Sequence, residues 1–268
     1  MPHIAPLDHA VLEISGEDRV AFLQGLVSND MALVRPGRAV WAALLTPQGK
    51  YLADFFVLHD DGRLLLEGHA ALMPELQTRL SRYRLRAQVA LRLADELRVY
   101  VAWGGTPALP PGAIGAPDPR LPAAGWRILS PVPLPATVTA ADWTAHRIPL
   151  GLPEAADMER EKTVLLEAGF DELGGVSWSK GCYMGQELTA RTKHRGLLKR
   201  RLVPVVLDGP AVPGTPITSE GAEVGTLRSV AGQHALALLR LDALGKPLCC
   251  GEASLTPALP DWLSLPTG

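Results

Sequence analysis

The chain has 268 residues, 47% of them hydrophobic and 20% charged, with 28 Asp and Glu against 26 Lys and Arg for a formal net charge of −2. That is ordinary globular composition, long enough for one large domain or two average ones, and its charge balance excludes a wholesale nucleic-acid binder. Three cysteines, two of them the adjacent Cys249 and Cys250, exclude a disulfide framework, and no apolar run approaches the roughly 20 residues that cross a bilayer.

Met1 to Asp18 fits neither a signal peptide nor a transit peptide, which with the cysteine usage points to a reduced, soluble, cytoplasmic protein of bacterial source. Ser15 and Asp18 resemble a capping box. Val20, Leu23 and Val27 follow at helical spacing, supported by Phe22 and Leu26, so a helix is expected to run to Ser28-Asn29-Asp30. Two apolar runs, Ala39 to Leu45 and Tyr51 to Leu58, flank the turn Thr46-Pro47-Gln48-Gly49, and Asp60-Asp61-Gly62 leads into a third, Arg63 to Glu67. This is a strand meander. A second helix is expected after Ala71, with Pro74 in its first turn and Leu76, Leu80 and Tyr83 on one face. Alternation then returns at Val89 to Leu93 and at Leu97 to Trp103. Helices interrupting meandering strands indicate an α+β fold, since a doubly wound sheet would alternate strand and helix regularly.

From Pro107 to Pro135 there are nine prolines in 29 residues, a density that predicts an irregular surface excursion, with Trp126, Ile128 and Leu129 giving it something to bury. Lys162 to Leu173 suggests a short helix stopped by Gly174-Gly175. Past Arg200 short apolar runs alternate with Gly and Pro at 202–207, 224–229, 235–241 and 248–255. They predict a small barrel-like β unit.

Between these parts lies Lys180-Gly181-Cys182-Tyr183-Met184-Gly185-Gln186-Glu187, which has neither a helical nor a strand period. Gln186 to Arg191 are good helix formers, so the Cys182 thiol is expected at or just before a helix N-terminus, where unpaired N–H groups and the Lys180 ammonium favour the thiolate. The competing reading is a small buried structural cysteine. His194 is twelve positions away, roughly 18 Å along any connecting helix, which disfavours a Cys-His dyad. There is no C-x-x-C pair, nucleotide-binding loop or H-E-x-x-H, so no metal site is expected. Lys180 to Arg201 holds seven Lys or Arg against one acid, a local charge of +6, consistent with a solvated basic face or with a site for an anionic ligand or RNA.

The Lys180 to Glu187 segment resembles the K-G-C-aromatic-x-G-Q-E signature of the YgfZ family, folate-associated proteins that assist iron-sulfur protein maturation. Phe22-Leu23-Gln24-Gly25-Leu26-Val27-Ser28-Asn29-Asp30 is similar to that family's N-terminal helix with its S/T-N-D ending. Leu45-Thr46-Pro47-Gln48-Gly49-Lys50 is similar to its hairpin, and His194-Arg195-Gly196 with the terminal β unit extends the likeness over nearly the whole chain. The wider superfamily includes the glycine cleavage T-protein, an aminomethyltransferase that uses tetrahydrofolate. The resemblance implies that fold: residues 1–199 form an α+β region around a central folate-sized opening, and residues 200–268 form a C-terminal β-barrel. Two positions depart from the T-protein pattern. Ala53 replaces the first of a pair of aspartates, leaving Asp54. Pro149, in Arg147-Ile148-Pro149-Leu150-Gly151, stands where an R-x-E-A-G motif carries the glutamate that grips the pterin ring, with Glu154 as a nearby substitute. The proline pattern looks closer to the family's mitochondrial-type branch.

The resemblance thus implies a non-hydrolytic factor for iron-sulfur protein maturation or repair. In it Cys182 is an exposed thiolate, Lys180 lowers its pKa, and Gln186 and Glu187 fix the segment. Asn29 and Asp54 would line the opening, and the basic stretch from Arg191 would meet an anionic ligand tail or a protein partner. Tetrahydrofolate is the expected ligand, iron-sulfur client or assembly proteins are the expected partners, and a monomer is expected without a stably bound cluster, RNA or membrane. The alternative is a tetrahydrofolate-dependent aminomethyltransferase with Asp54 as its acid-base group.

Overall fold

The computed structural model describes residues 1–265, so the last three residues of the expected 200–268 barrel lie outside it. The chain forms β1 (His3–Pro6), β2 (His9–Ser15), α1 (Arg19–Gln24), β3 (Val40–Leu45), β4 (Tyr51–Asp60), β5 (Arg63–His69), α2 (Met73–Tyr83), β6 (Ala90–Leu93) and β7 (Arg98–Trp103). There follow β8 (Ile114–Pro117), β9 (Trp126–Ser130), α3 (Ala140–Arg147) and α4 (Gln186–His194). The last strands are β10 (Arg200–Asp208), β11 (Pro216–Ser219), β12 (Ala222–Ala231), β13 (His234–Arg240), β14 (Leu248–Cys250) and β15 (Ala253–Pro257). They make a five-stranded sheet in the order β3-β4-β5-β2-β6, a four-stranded sheet β1-β7-β9-β8, and a closed barrel β10-β13-β12-β11-β14-β15. This is the expected α+β region with a terminal barrel.

β3 is continuously apolar because its sheet is covered on both sides. Trp41, Ala43 and Leu45 enter one core, with Phe56, Val101 and Phe170, whereas Val40, Ala42 and Leu44 enter a second, with Phe22, Leu76 and Leu80 from α1 and α2. Successive side chains of a strand point to opposite faces, so a strand between two cores has no polar side. β13 repeats the device: Ala235, Ala237 and Leu239 fill the barrel, while Leu236 and Leu238 pack on Ile148 and so join the barrel to the rest.

Several expectations are corrected. Asp18 makes no cap; its carboxylate accepts the Gln88 N–H at 2.7 Å, and α1 stops at Gln24. The chain beyond is taken by β3, through a Val27–Leu44 bridge and a Ser28 N–H bond to the Ala43 carbonyl at 2.9 Å. The proline-rich stretch is not wholly irregular, because β8 and β9 lie in it. β8 is the edge of its sheet and ends at Pro117, a position where a missing N–H costs no ladder bond. The Lys162–Leu173 helix shrinks to a 3-10 turn at Leu165–Ala168. Just before it the backbone is claimed by β4, with Tyr51 N–H on the Thr163 carbonyl and Glu161 N–H on the Tyr51 carbonyl. Tertiary hydrogen bonding outweighs local helix propensity there.

Candidate functional site

The motif segment is assembled from three distant stretches. Ser28 sits at its root: its hydroxyl donates to the Gly175 carbonyl at 2.7 Å and accepts the Ala43 N–H at 2.9 Å, while the Ser177 N–H reaches the Ser28 carbonyl at 3.0 Å. The Lys180 ammonium donates to the carbonyls of Val27 at 2.8 Å and Asn29 at 2.7 Å, and the Met184 N–H donates to Gly25 at 3.1 Å. Burial pulls the Lys180 pKa down to about 8, against the opposing pull of Asp30. The Tyr183 ring lies 5.3 Å from that ammonium, a cation–π distance.

Gly185 caps α4 at φ +78°, and a Cβ there would lie 2.4 Å from the Thr46 carbonyl oxygen and 3.1 Å from Gly49 Cα. Gly49, at φ +82°, is as close to Gly185 from the other side: a Cβ on it would meet the Gly185 carbonyl at 2.7 Å. Two glycines, one from the motif and one from the β3-β4 turn, therefore let two backbones touch. Gln186 completes the loop by accepting the Tyr183 N–H at 3.2 Å. Between the Lys180 and Met184 anchors, Cys182 is exposed, three residues before the helix cap. A thiol on a loop pinned at both sides is held in place and open to a macromolecule.

The remaining expected residues scatter. Glu187 does not fix the segment; its side chain is 81% exposed and pairs with Arg191 one helical turn on. The basic run is largely neutralised: Arg191, Lys193, Arg200 and Arg201 pair with Glu187, Asp171, Glu167 and Glu172, and Lys180 is held by carbonyls. Among the described residues Arg195 and Lys199 alone of that run carry no such partner. No cluster of three or more metal-ligating side chains occurs among the described residues.

Asn29 and Asp54 do not share an opening. Asn29 borders a cleft of about 720 Å³ with Leu33, Arg38, Trp41, Pro119 and Trp178. Its amide nitrogen donates to the Trp41 and Gly174 carbonyls, each at 2.7 Å, and its oxygen accepts the Asp30 N–H at 2.9 Å, so no polar atom of it is spare. Asp54 is absent from that cleft. It is buried, accepts the Trp41 indole N–H at 3.0 Å and the Tyr51 hydroxyl at 2.8 Å, and borders a void of about 10 Å³ with His9, Glu67, Arg120, Arg127 and Glu154. Burial raises its pKa against the pull of those two donors.

That void is closed by a buried ion cluster which sequence reasoning missed. Asp118 takes Arg120 at 2.8 and 3.0 Å and Arg127 at 3.1 Å; Arg127 also reaches Glu67, which pairs with His9. The two guanidinium groups lie over the Phe56 ring at 4.8 and 3.8 Å, and Arg120 lies over Trp41 at 5.4 Å. Burial opposes ionisation of Asp118, but Arg120 and Arg127 outweigh it and hold its pKa at about 2. Glu154 does point inward: it accepts the Trp143 indole N–H at 2.6 Å, and Arg147 Nε lies 3.0 Å from its other oxygen, an ion pair outside hydrogen-bond geometry. The signal available was Arg127, a cation between Trp126 and Ile128 in an otherwise apolar run.

These residues do not fit tetrahydrofolate. The cleft is large enough for such a molecule but has no carboxylate among the described residues of its lining for the N–H donors of a pterin, while the interior has Asp54, Glu67 and Glu154 but no volume.

Residues 199–265 match the family model for the CAF17 C-terminal beta-barrel domain. The chain is 32% identical to the mouse protein named iron-sulfur cluster assembly factor IBA57, mitochondrial, over 94% of this chain and 83% of that one. The human protein of the same name is 33% identical over 94% and 82%, and the homologue from Mycosarcoma maydis is 34% identical over 95% and 68%. Among solved structures, the glycine cleavage system aminomethyltransferase T of Bartonella henselae superposes with a TM-score of 0.75 over 98% of this chain and 86% of its own, at 13% identity, which establishes the fold alone. All three sequence relatives are eukaryotic proteins named as mitochondrial, and this overturns the expectation of a bacterial cytoplasmic protein.

Proposed function

The chain belongs to the family of the iron-sulfur cluster assembly factor IBA57, and from that premise we propose that it matures or repairs iron-sulfur proteins through the thiol of Cys182. The observation that carries this reading is an exposed cysteine on a loop anchored by Lys180, Met184 and Gly185. A solvated sulfur held in one place is suited to exchange with a group carried by another protein. The similarity of the motif to YgfZ proteins supports the same role. The partners are iron-sulfur client or assembly proteins, met by this chain as a monomer. Aminomethyl transfer is not favoured, because Asp54 is sealed beside a void of about 10 Å³ where no substrate reaches it. Replacing Cys182→Ser in cells that depend on this chain tests the reading: iron-sulfur enzyme activities should fall as if the chain were deleted. Undiminished activities with the variant present at normal abundance would refute it.

A further inference from the structure

We propose that this chain works without folate, its interior being liganded by its own guanidinium groups. This rests on the iron-sulfur assembly reading and concerns what that role needs besides the thiol.

A pterin presents an edge of N–H donors, best matched by a carboxylate in a site shielded from water. The described residues bring three carboxyl groups to the interior void, Asp54, Glu67 and Glu154; Glu67 pairs through one oxygen with His9 and Arg127 and keeps the other without a partner, and Asp54 and Glu154 are engaged as well. Asp54 accepts from Trp41 and Tyr51, and Glu154 from Trp143 with Arg147 beside it. Sites for molecules of this size occupy about 300–1,000 Å³, whereas the space these carboxyl groups border is about 10 Å³. That is the scale of one water molecule.

The space is not simply collapsed. The faces of Phe56 and Trp41, which could stack a flat heterocycle, are covered by Arg127 and Arg120. A guanidinium is itself flat and an N–H donor, so it meets the aromatic faces and the acid Asp118 as a bound ring would. Arg120 also donates to the Pro153 carbonyl at 2.8 Å, tying the cluster to the stretch that carries Glu154. Displacing Arg127 to admit a ligand would take a counter-charge from both Asp118 and Glu67, and displacing Arg120 would take one from Asp118, so the cluster does not open as a gate. The 720 Å³ cleft offers no alternative grip: its polar side chains are Asn29, Arg38, Ser177 and Ser179, with no acid among them.

The test is calorimetric titration of the full chain with tetrahydrofolate and with 5-formyltetrahydrofolate, read alongside tryptophan fluorescence and the unfolding temperature. No saturable heat, no quenching and no shift in unfolding temperature are expected up to about 1 mM ligand, the weak end of measurable binding. Saturable one-to-one binding in the micromolar range, lost on Glu154→Gln, would overturn the proposal. A second arm uses cells blocked in folate synthesis and supplied with the end products of one-carbon metabolism. Iron-sulfur enzyme activities supported by the chain should hold there, and their collapse would equally overturn folate independence. If Cys182→Ser abolishes support in folate-replete cells, the assembly reading stands whichever way the folate arms fall. If Cys182→Ser leaves support intact, that reading fails by itself.

Discussion

Gly181 and Gly185 belong to one motif but meet different surroundings, so alanine at each separates packing from function. At Gly185 an alanine would have to hold φ near +78°, which costs an L-residue about 1–2 kcal/mol. Its Cβ would stand 2.4 Å from the Thr46 carbonyl oxygen and 2.9 Å from Leu45 Cβ. The Thr46 and Leu45 atoms belong to a hairpin closed by a Thr46 N–H bond to Lys50 and a Gly49 N–H bond to Thr46, each at 2.8 Å. Moving such a turn is comparable to overpacking a core, about 1–3 kcal/mol. Together the loss is about 2–5 kcal/mol, a large part of the 5–15 kcal/mol typical of a domain. Gly181 has no positive φ, and a Cβ added there would meet nothing within 4 Å, so Gly181→Ala should cost less than about 0.5 kcal/mol. Urea unfolding followed by tryptophan fluorescence gives both numbers. Equal destabilisation by the two variants, or an unaffected Gly185→Ala, would refute the contact between cap and hairpin.

Lys180 has a folded-state pKa near 8 against an ordinary value near 10.5. Between those values the unfolded chain binds the extra proton, so stability should rise with pH there, while below pH 8 the burial cost is fully present. Unfolding measured against Lys180→Met across this window should show the wild type gaining relative to the variant; a flat difference would contradict the buried ammonium. Arg127→Met should cost about 3–5 kcal/mol in chemical denaturation, since it leaves Asp118 and Glu67 buried beside an apolar side chain. Glu187→Gln, which breaks an exposed pair with Arg191, should change stability by less than about 0.5 kcal/mol.

Much of the fold was legible in the sequence because local pattern and tertiary packing agree. The β3-β4 hairpin declares itself through apolar runs around Thr46-Pro47-Gln48-Gly49, and α2 through its stripe and Pro74. The first two strands were not legible, since β1 and β2 go to different sheets and their pairing with β7 and β5 is entirely long-range. α3 lacks an apolar stripe to announce it, although Thr139 and Asp142 form its capping box. Of the site, the motif around Cys182 stood out, and the Lys180 side chain is part of it. Its bonds to the Val27 and Asn29 carbonyls were hidden, because a carbonyl acceptor carries no residue-type signature. The +6 segment misled for a related reason: the acids that neutralise it, Asp171, Glu167 and Glu172, lie outside it in sequence. Asp54 was placed correctly on its strand, but its separation from the cleft was not legible, because the residues that close around it include Arg120, far along the chain in a stretch dominated by proline.

The central claim is that one exposed thiol, Cys182, carries the activity. Cys249 is also exposed and lies on β14 of the barrel, which makes it the internal control. Activities of iron-sulfur enzymes, normalised to the amount of each enzyme and of this chain, should be measured in cells carrying Cys182→Ser or Cys249→Ser. The account predicts loss with Cys182→Ser to the level of the deleted chain, an unfolding midpoint unchanged from wild type, and full support from Cys249→Ser. Full support from Cys182→Ser at normal abundance would contradict it.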